Sequence, residues 1–105
     1  RLIVLPELCA SGYLLDPDGL AGLAEPADGP TVRGWADLAD ELGVFVVGGW
    51  CERDGDRIYN AAALVGPRGV TGLYRKLHLF DREKDVFAPG DRGLPVVETA
   101  IGRIG

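Results

Sequence analysis

Two charged side chains follow predicted strands, at positions where sheet proteins usually place reactive groups. Glu7 comes at the end of the first predicted strand, and Lys76 comes at the end of a later one. A carboxylate there can accept a proton, and an ammonium can stabilise negative charge that develops in a reaction. Leu5 and Leu8 flank Glu7, which favours burial of its carboxylate. The alternative interpretation is a solvated side chain at each strand end, and the charged run around Glu83 favours a salt-bridged loop.

The two thiols of the chain, Cys9 and Cys51, are the candidate nucleophiles, since a thiol attacks as its thiolate. Cys9 lies two residues after Glu7, whereas Cys51 follows Trp50 and is predicted to be buried and inert. Neither thiol has a histidine nearby in sequence. His78, the single histidine, lies between two leucines and is predicted to be a packed, hydrogen-bonded loop residue.

The composition excludes several functional classes. The chain has 105 residues, 47% of them hydrophobic, and a formal net charge of −5. This balance argues against a disordered chain and against a nucleic-acid or membrane surface. No apolar run approaches the roughly 18 residues of a membrane span. Two cysteines and one histidine make a disulfide scaffold or a structural zinc site implausible, and the cytoplasm is the expected compartment.

Hydrophobic periodicity predicts one long helix among short strands. Thr31 is a candidate N-cap for an amphipathic helix that ends at Gly43, and a short helix is predicted at Leu20 to Leu23. A long loop is predicted from Lys76 to Pro95. This order predicts an α/β or α+β fold with a mixed sheet. The predicted strands are Leu2 to Leu5, Val44 to Trp50, Arg57 to Val65, Val70 to Tyr74, and a last hairpin of Val96 to Thr99 with Ile101 to Ile104.

Four stretches in this order resemble the nitrilase, or carbon–nitrogen hydrolase, superfamily. The first is LIVLPE at Leu2 to Glu7, followed by Gly12-Tyr13, and it looks like the strand and loop of that family's catalytic glutamate. The others are similar to its central hairpin, its lysine motif and the loop of a second glutamate. They are YNAA at Tyr59 to Ala62 with GPRG at Gly66 to Gly69, YRKLHL at Tyr74 to Leu79, and FDREKDVFAPG at Phe80 to Gly90.

The resemblance implies a role for each candidate residue. Glu7 would be the general base, Lys76 the cation beside the oxyanion, and Glu83 the partner that holds the lysine and orients the substrate. Tyr13 and His78 would contact the substrate. Neither Cys9 nor Cys51 matches the family's nucleophile, which we expect just beyond Gly105, so residues 1–105 would form a partial domain that is inactive alone. The family's first strand and helix and its C-terminal half would lie outside it.

The resemblance also implies a four-layer α-β-β-α sandwich, homo-oligomers, and no metal or organic cofactor. The expected reaction is hydrolysis of a small amide, N-carbamoyl amine or nitrile through a cysteine thioester, with an aliphatic amide or N-carbamoyl amine preferred. One alternative is a catalytically inactive relative that serves as an assembly or binding module. Another is a self-sufficient thiol enzyme that uses Cys9. The residue type after the last strand would distinguish the first two.

Overall fold

The computed structural model describes residues 1–13 and 16–105. Within these ranges the chain forms two α-helices, one 3-10 helix and six strands. The helices are α1 (Pro17–Leu23) and α2 (Pro30–Leu42), and the 3-10 helix spans Asp81–Asp85. The strands are β1 (Leu2–Val4), β2 (Phe45–Asp54), β3 (Arg57–Gly66), β4 (Gly69–Arg75), β5 (Val97–Thr99) and β6 (Gly102–Ile104).

The main sheet has four strands in the order β1-β2-β3-β4. β1 runs parallel to β2, whereas β2, β3 and β4 pair antiparallel through short hairpins, so the sheet is mixed, as predicted. The β2–β3 turn places Gly55 at φ 58°, a left-handed conformation that glycine adopts at little cost. β5 and β6 form a separate antiparallel pair, which confirms the predicted last hairpin.

Helix α2 begins earlier than the sequence indicated. Its N-cap is Gly29 with Pro30 in the first turn, so the prediction of Thr31 as N-cap is wrong. Thr31 instead donates from its backbone N–H and hydroxyl to the Glu25 carboxylate, at 2.8 and 2.9 Å. A side chain from outside the helix therefore satisfies this free N–H of the first turn. Helix α1 also begins earlier than predicted, because Asp16 caps it by accepting from the Gly19 N–H at 2.9 Å.

Strand alternation divides the sheet into two faces with different partners. One face packs against α2 and forms the main core with Val46, Trp50, Ala63 and Val65. The opposite face presents Gly49, Asn60 and Ala62, and the chain after β1 lies directly over it. A Cβ atom at Gly49 would lie 2.5 Å from the Leu8 backbone nitrogen, so only glycine permits this close approach. The sheet thus brings the segment around Glu7 onto the face away from α2.

Candidate active site

The ammonium of Lys76 lies between the two predicted carboxylates. Lys76 follows the last residue of β4, and its backbone N–H donates to the Asn60 carbonyl at 2.8 Å. Its Nζ donates to Glu7 Oε1 at 2.7 Å and to Glu83 Oε1 at 3.0 Å. The three residues are therefore brought together in space although Glu7 is 69 positions from Lys76 in sequence.

Glu83 is the buried member of the pair of carboxylates, and Glu7 is the accessible one. The Glu83 side chain has no exposed surface, whereas that of Glu7 is 47% exposed, so the predicted burial of Glu7 is wrong. The chain turns immediately after β1, and in this turn Leu8 alone enters the core. Apolar neighbours in sequence therefore did not make Glu7 buried.

The Glu83 carboxylate is surrounded by hydrogen-bond donors. Oε1 accepts from the Tyr13 hydroxyl at 2.7 Å, from Lys76 Nζ at 3.0 Å and from Asn60 Nδ2 at 3.1 Å. Oε2 accepts from the Phe80 backbone N–H at 2.6 Å, at the start of the 3-10 helix. Burial alone would raise the pKa of Glu83, but the donors from Phe80, Tyr13 and Lys76 outweigh it and hold the pKa below its ordinary value. Glu83 is therefore an anion at neutral pH.

Lys76 keeps its charge for a related reason. Burial lowers its pKa, but the hydrogen bonds and negative charges of Glu7 and Glu83 outweigh this effect and raise the pKa above its ordinary value. One cation thus lies between two carboxylates. When both carboxylates are ionised, the three groups together have a net negative charge. Such a site can take up one proton without losing the Lys76–Glu83 ion pair.

Asn60 is a site residue that the sequence analysis did not single out. Its side chain is buried, and Nδ2 donates to Glu7 Oε1 at 2.7 Å as well as to Glu83 Oε1. The amide thus links the same two oxygens that the Lys76 ammonium links. A signal was present in the sequence, because an asparagine within the otherwise apolar inner part of β3 must find hydrogen-bond partners when buried.

The two residues predicted to contact substrate have different surroundings. The Tyr13 hydroxyl donates to Glu83, and this hydrogen bond raises the pKa of Tyr13 above its ordinary value. His78 is exposed and makes no hydrogen bond to any described residue, so its prediction as a packed, hydrogen-bonded residue is wrong. It lines a separate cavity of about 410 Å³ with Lys84 and Phe87. The structure therefore brings Tyr13, but not His78, into contact with the Lys76 cluster, which consists of Glu7, Asn60, Lys76 and Glu83.

Neither thiol is bonded to the Lys76 cluster. Cys51 is buried against Leu8, Leu20 and Phe87, and burial raises its pKa to about 11, in agreement with an inert thiol. Cys9 is exposed, and its Sγ lies 3.4 Å from the Gly49 carbonyl. Among residues 1–13 and 16–105, no group of three or more His, Cys, Asp and Glu side chains has the arrangement of a metal site.

A cavity of about 230 Å³ lies beside the cluster. Glu7, Asn60 and Lys76 line it together with backbone and apolar atoms of Gly49 and Ala62. An adjacent cavity of about 330 Å³ is almost entirely apolar and is bounded by β3, β4 and the β5–β6 hairpin. The arrangement can therefore hold a small molecule next to a cation and a proton acceptor.

Comparison with known proteins identifies the family. The profile of the carbon–nitrogen hydrolase family matches residues 1–105. The chain belongs to the carbon–nitrogen hydrolase family. A curated relative, a nitrilase of Pyrococcus abyssi, is 43% identical over 100% of this chain and 41% of its own length. An (R)-stereoselective amidase of Pseudomonas is 38% identical over 99% of this chain and 37% of its own length.

Solved structures agree with this assignment. A Xanthomonas campestris CN-hydrolase superfamily protein, with an arsenic adduct in its active site, superposes with a TM-score of 0.83 at 32% identity over 97% of this chain and 38% of its own. A Saccharomyces cerevisiae member of the nitrilase superfamily gives 0.84 at 27% identity, over 98% and 40% of the two chains. The predicted α/β (α+β) fold class with a mixed sheet is confirmed. This carbon–nitrogen hydrolase chain spans about two fifths of the length of the relatives it matches. Among the helices of the described residues, none is long and apolar enough to cross a membrane.

Proposed function

We propose that Glu7 is the proton acceptor of a cysteine-dependent hydrolase and that Lys76 is the cation that stabilises its oxyanion. The observation that supports this most directly is the Lys76 ammonium, held by Glu7 and Glu83 beside a small cavity. The substrate would be a small amide, N-carbamoyl amine or nitrile. The names of the relatives, a nitrilase and a stereoselective amidase, support this substrate class.

In the proposed reaction, a cysteine outside residues 1–105 attacks the substrate carbon while its thiol proton passes to Glu7. Negative charge develops on the substrate oxygen or nitrogen, and the Lys76 ammonium stabilises it through a donor already in place. When the C–N bond of an amide breaks, Glu7 returns the proton to the leaving amine, and a thioester remains. Glu7 then takes a proton from the water that attacks the thioester, and the returning proton regenerates the thiol.

The assignment of the proton to Glu7 rests on hydrogen-bond accounting rather than on burial. Glu83 already accepts four hydrogen bonds on its two oxygens and is fully buried, so a proton on either oxygen would displace at least one donor and would remove the charge that pairs with Lys76. Glu7 accepts two, both on Oε1, and its Oε2 accepts none from the described residues. Oε2 of Glu7 is therefore the oxygen at which a proton costs least.

The test is turnover by the full-length protein against a panel of small amides, N-carbamoyl amines and nitriles. Lys76→Ala should lose at least about a hundredfold in kcat/KM, which is the effect of removing one oxyanion donor. Lys76→Arg should fail almost as badly, because a planar guanidinium does not replace a compact ammonium. The matched control is Lys84→Ala, since Lys84 is the only other lysine among residues 1–105 and is exposed on the loop that follows Lys76.

Near-normal rates in Lys76→Arg would contradict the oxyanion role. If the wild-type protein lacks turnover on the whole panel, the inactive assembly or binding module becomes the better reading. The cytoplasmic location and homo-oligomeric state of the full-length protein stay predictions.

A further inference from the structure

A second charged cluster lies on the opposite face of the sheet from Lys76. Arg75 precedes Lys76, and its side chain is only 2% exposed. Its guanidinium makes a two-point ion pair with Glu52, with Nε–Oε2 at 2.8 Å and Nη2–Oε1 at 2.7 Å. It also packs 3.8 Å from the centre of the Tyr59 ring. Planar paired hydrogen bonds of this kind fix both position and orientation, so Arg75 is firmly held.

Two further carboxylates approach Arg75 from different parts of the chain. Asp54, at the end of β2, lies 2.8 Å from Nη2, and Asp91 lies 2.9 and 3.2 Å from Nη1. Their side chains are similarly exposed, 60% for Asp54 and 50% for Asp91. The two differ in location, because only Asp91 follows the loop that contains Glu83. Asp91 also accepts a long hydrogen bond from the Tyr59 hydroxyl, at 3.5 Å.

That loop, residues 77–89, is closed at its base by direct backbone contact. The Gly90 N–H donates to the Lys76 carbonyl at 2.9 Å, and a Cβ atom at Gly90 would lie 2.1 Å from the Arg75 carbonyl oxygen. Only glycine permits this approach. The Ala88 N–H donates to the Ile58 carbonyl at 2.8 Å on the same side. Both ends of the loop therefore meet at the backbone of Arg75 and Lys76.

We propose that the Arg75–Asp91 ion pair is a clasp that holds this loop closed and so sets the position of Glu83 against Lys76. Arg75 and Asp91 are then positioning residues, which act from the opposite face of the sheet without touching the substrate. Arg75 is the fixed half, because Glu52 anchors it to β2. Asp91 is the half that can detach, because it is half-exposed and belongs to the loop base.

The consequence for chemistry follows from the small tolerance of the site. Lys76 Nζ and Glu83 Oε1 are 3.0 Å apart, and an error of about 1 Å in a reacting geometry can cost up to about a hundredfold in rate. Opening the loop base would move Glu83 while leaving β4 and Lys76 in place. The consequence for rate rests on the function proposed above, whereas the structural role of the clasp does not.

The test compares Asp91→Ala with Asp54→Ala in the full-length protein. Each variant removes one exposed carboxylate from Arg75 and leaves the Glu52 pair intact, so Asp54→Ala is the matched control. Hydrogen exchange should become faster at the Phe80 and Phe87 amides, which bond to Glu83, in Asp91→Ala and not in Asp54→Ala. Asp91→Asn, which keeps one oxygen acceptor, should give a smaller effect in the same direction.

Activity provides the second readout. We expect kcat/KM to fall by about tenfold to a hundredfold in Asp91→Ala and by less than about twofold in Asp54→Ala. The acid limb of the pH profile of kcat/KM should move to higher pH in Asp91→Ala. Glu83 then loses part of its contact with Lys76, so the pKa of Glu83 rises toward its ordinary value and its charge is lost at a higher pH. A change in stability alone would not move that limb.

Equal effects of the two variants on exchange, or no effect of Asp91→Ala, would overturn the clasp. If the wild-type protein shows no turnover, the proposed function fails and the exchange comparison alone decides the clasp. If turnover is normal and depends on Lys76 while both aspartate variants behave alike, the clasp fails and the proposed function stands.

Discussion

Replacing each glutamate of the site by glutamine should separate their structural roles. At Glu83, three donors meet Oε1 and one backbone N–H meets Oε2. A glutamine has one acceptor oxygen and one NH₂ group, so the NH₂ must face at least one donor. If the new carbonyl oxygen takes the place of Oε1, the Phe80 N–H is left without an acceptor.

The magnitude follows from these contacts. An unpaired buried donor costs about 1–3 kcal/mol, and loss of the charge from the buried end of the Lys76 ion pair adds to this. We therefore expect Glu83→Gln to lower the free energy of unfolding by about 2–4 kcal/mol. At Glu7, both hydrogen bonds end on Oε1 and the side chain is half-exposed, so a glutamine oxygen can accept both. Glu7→Gln should cost less than about 1 kcal/mol, as expected for a partly exposed ion pair.

The assay is urea denaturation of the protein, monitored by tryptophan fluorescence, to which Trp35 and Trp50 contribute, with a check that the denaturant slope is unchanged. Turnover measured on the same samples should show the opposite order, with Glu7→Gln inactive though stable, since a neutral amide cannot accept the thiol proton. Glu83→Gln should retain some activity. Equal destabilisation by the two variants, or a larger loss at Glu7, would refute the hydrogen-bond accounting.

Three further predictions address the same region. Asn60→Asp adds a third carboxylate beside Glu7 and Glu83 and removes two donated hydrogen bonds, so it should destabilise by about 2–4 kcal/mol at pH 7 and by less at pH 5, measured by urea midpoints. Because the pKa of Glu83 is lowered in the folded state, Glu83 should stabilise the fold at pH values above its unfolded pKa, and this stabilisation should be lost as pH falls through its folded pKa. Glu83→Gln should therefore reduce the fall in the free energy of unfolding at acid pH. Iodoacetamide at neutral pH should modify the exposed Cys9 and spare Cys51, because burial of Cys51 raises its pKa to about 11. Mass spectrometry of the peptides measures the labelling, and equal labelling of the two thiols would contradict the burial of Cys51.

Much of the fold was determined by the sequence alone. The strands, the helix up to Gly43 and the turns follow from hydrophobic periodicity and from glycine and proline positions, which act over a few residues. The errors lie at element boundaries. Thr31 is not the N-cap of α2 because the Glu25 carboxylate, six residues away, captures its N–H and hydroxyl. The 3-10 helix at Asp81–Asp85 was not predicted, and its start is fixed by the Glu83 side chain.

The candidate site divides in the same way. Glu7 and Lys76 were nominated by their positions at strand ends, whereas Glu83 was nominated by the resemblance of its loop to the nitrilase superfamily. Which carboxylate is buried was decided by the tertiary structure, since burial depends on what packs over a side chain and not on its neighbours in sequence. Leu8 enters the core beside Glu7, while Glu7 itself remains half-exposed.

The tertiary structure also decided which carboxylates the adjacent cations Arg75 and Lys76 contact. Composition does not distinguish Arg75 from Lys76, but strand alternation sends their side chains to opposite faces of the sheet. Arg75 meets Glu52, 23 positions away, and Lys76 meets Glu7, 69 positions away. Asn60 joins the site across 53 positions from Glu7. Contacts over such separations are set by sheet register and packing, so the sequence determined the residue types of the site and the assembled fold determined their partners, burial and charge.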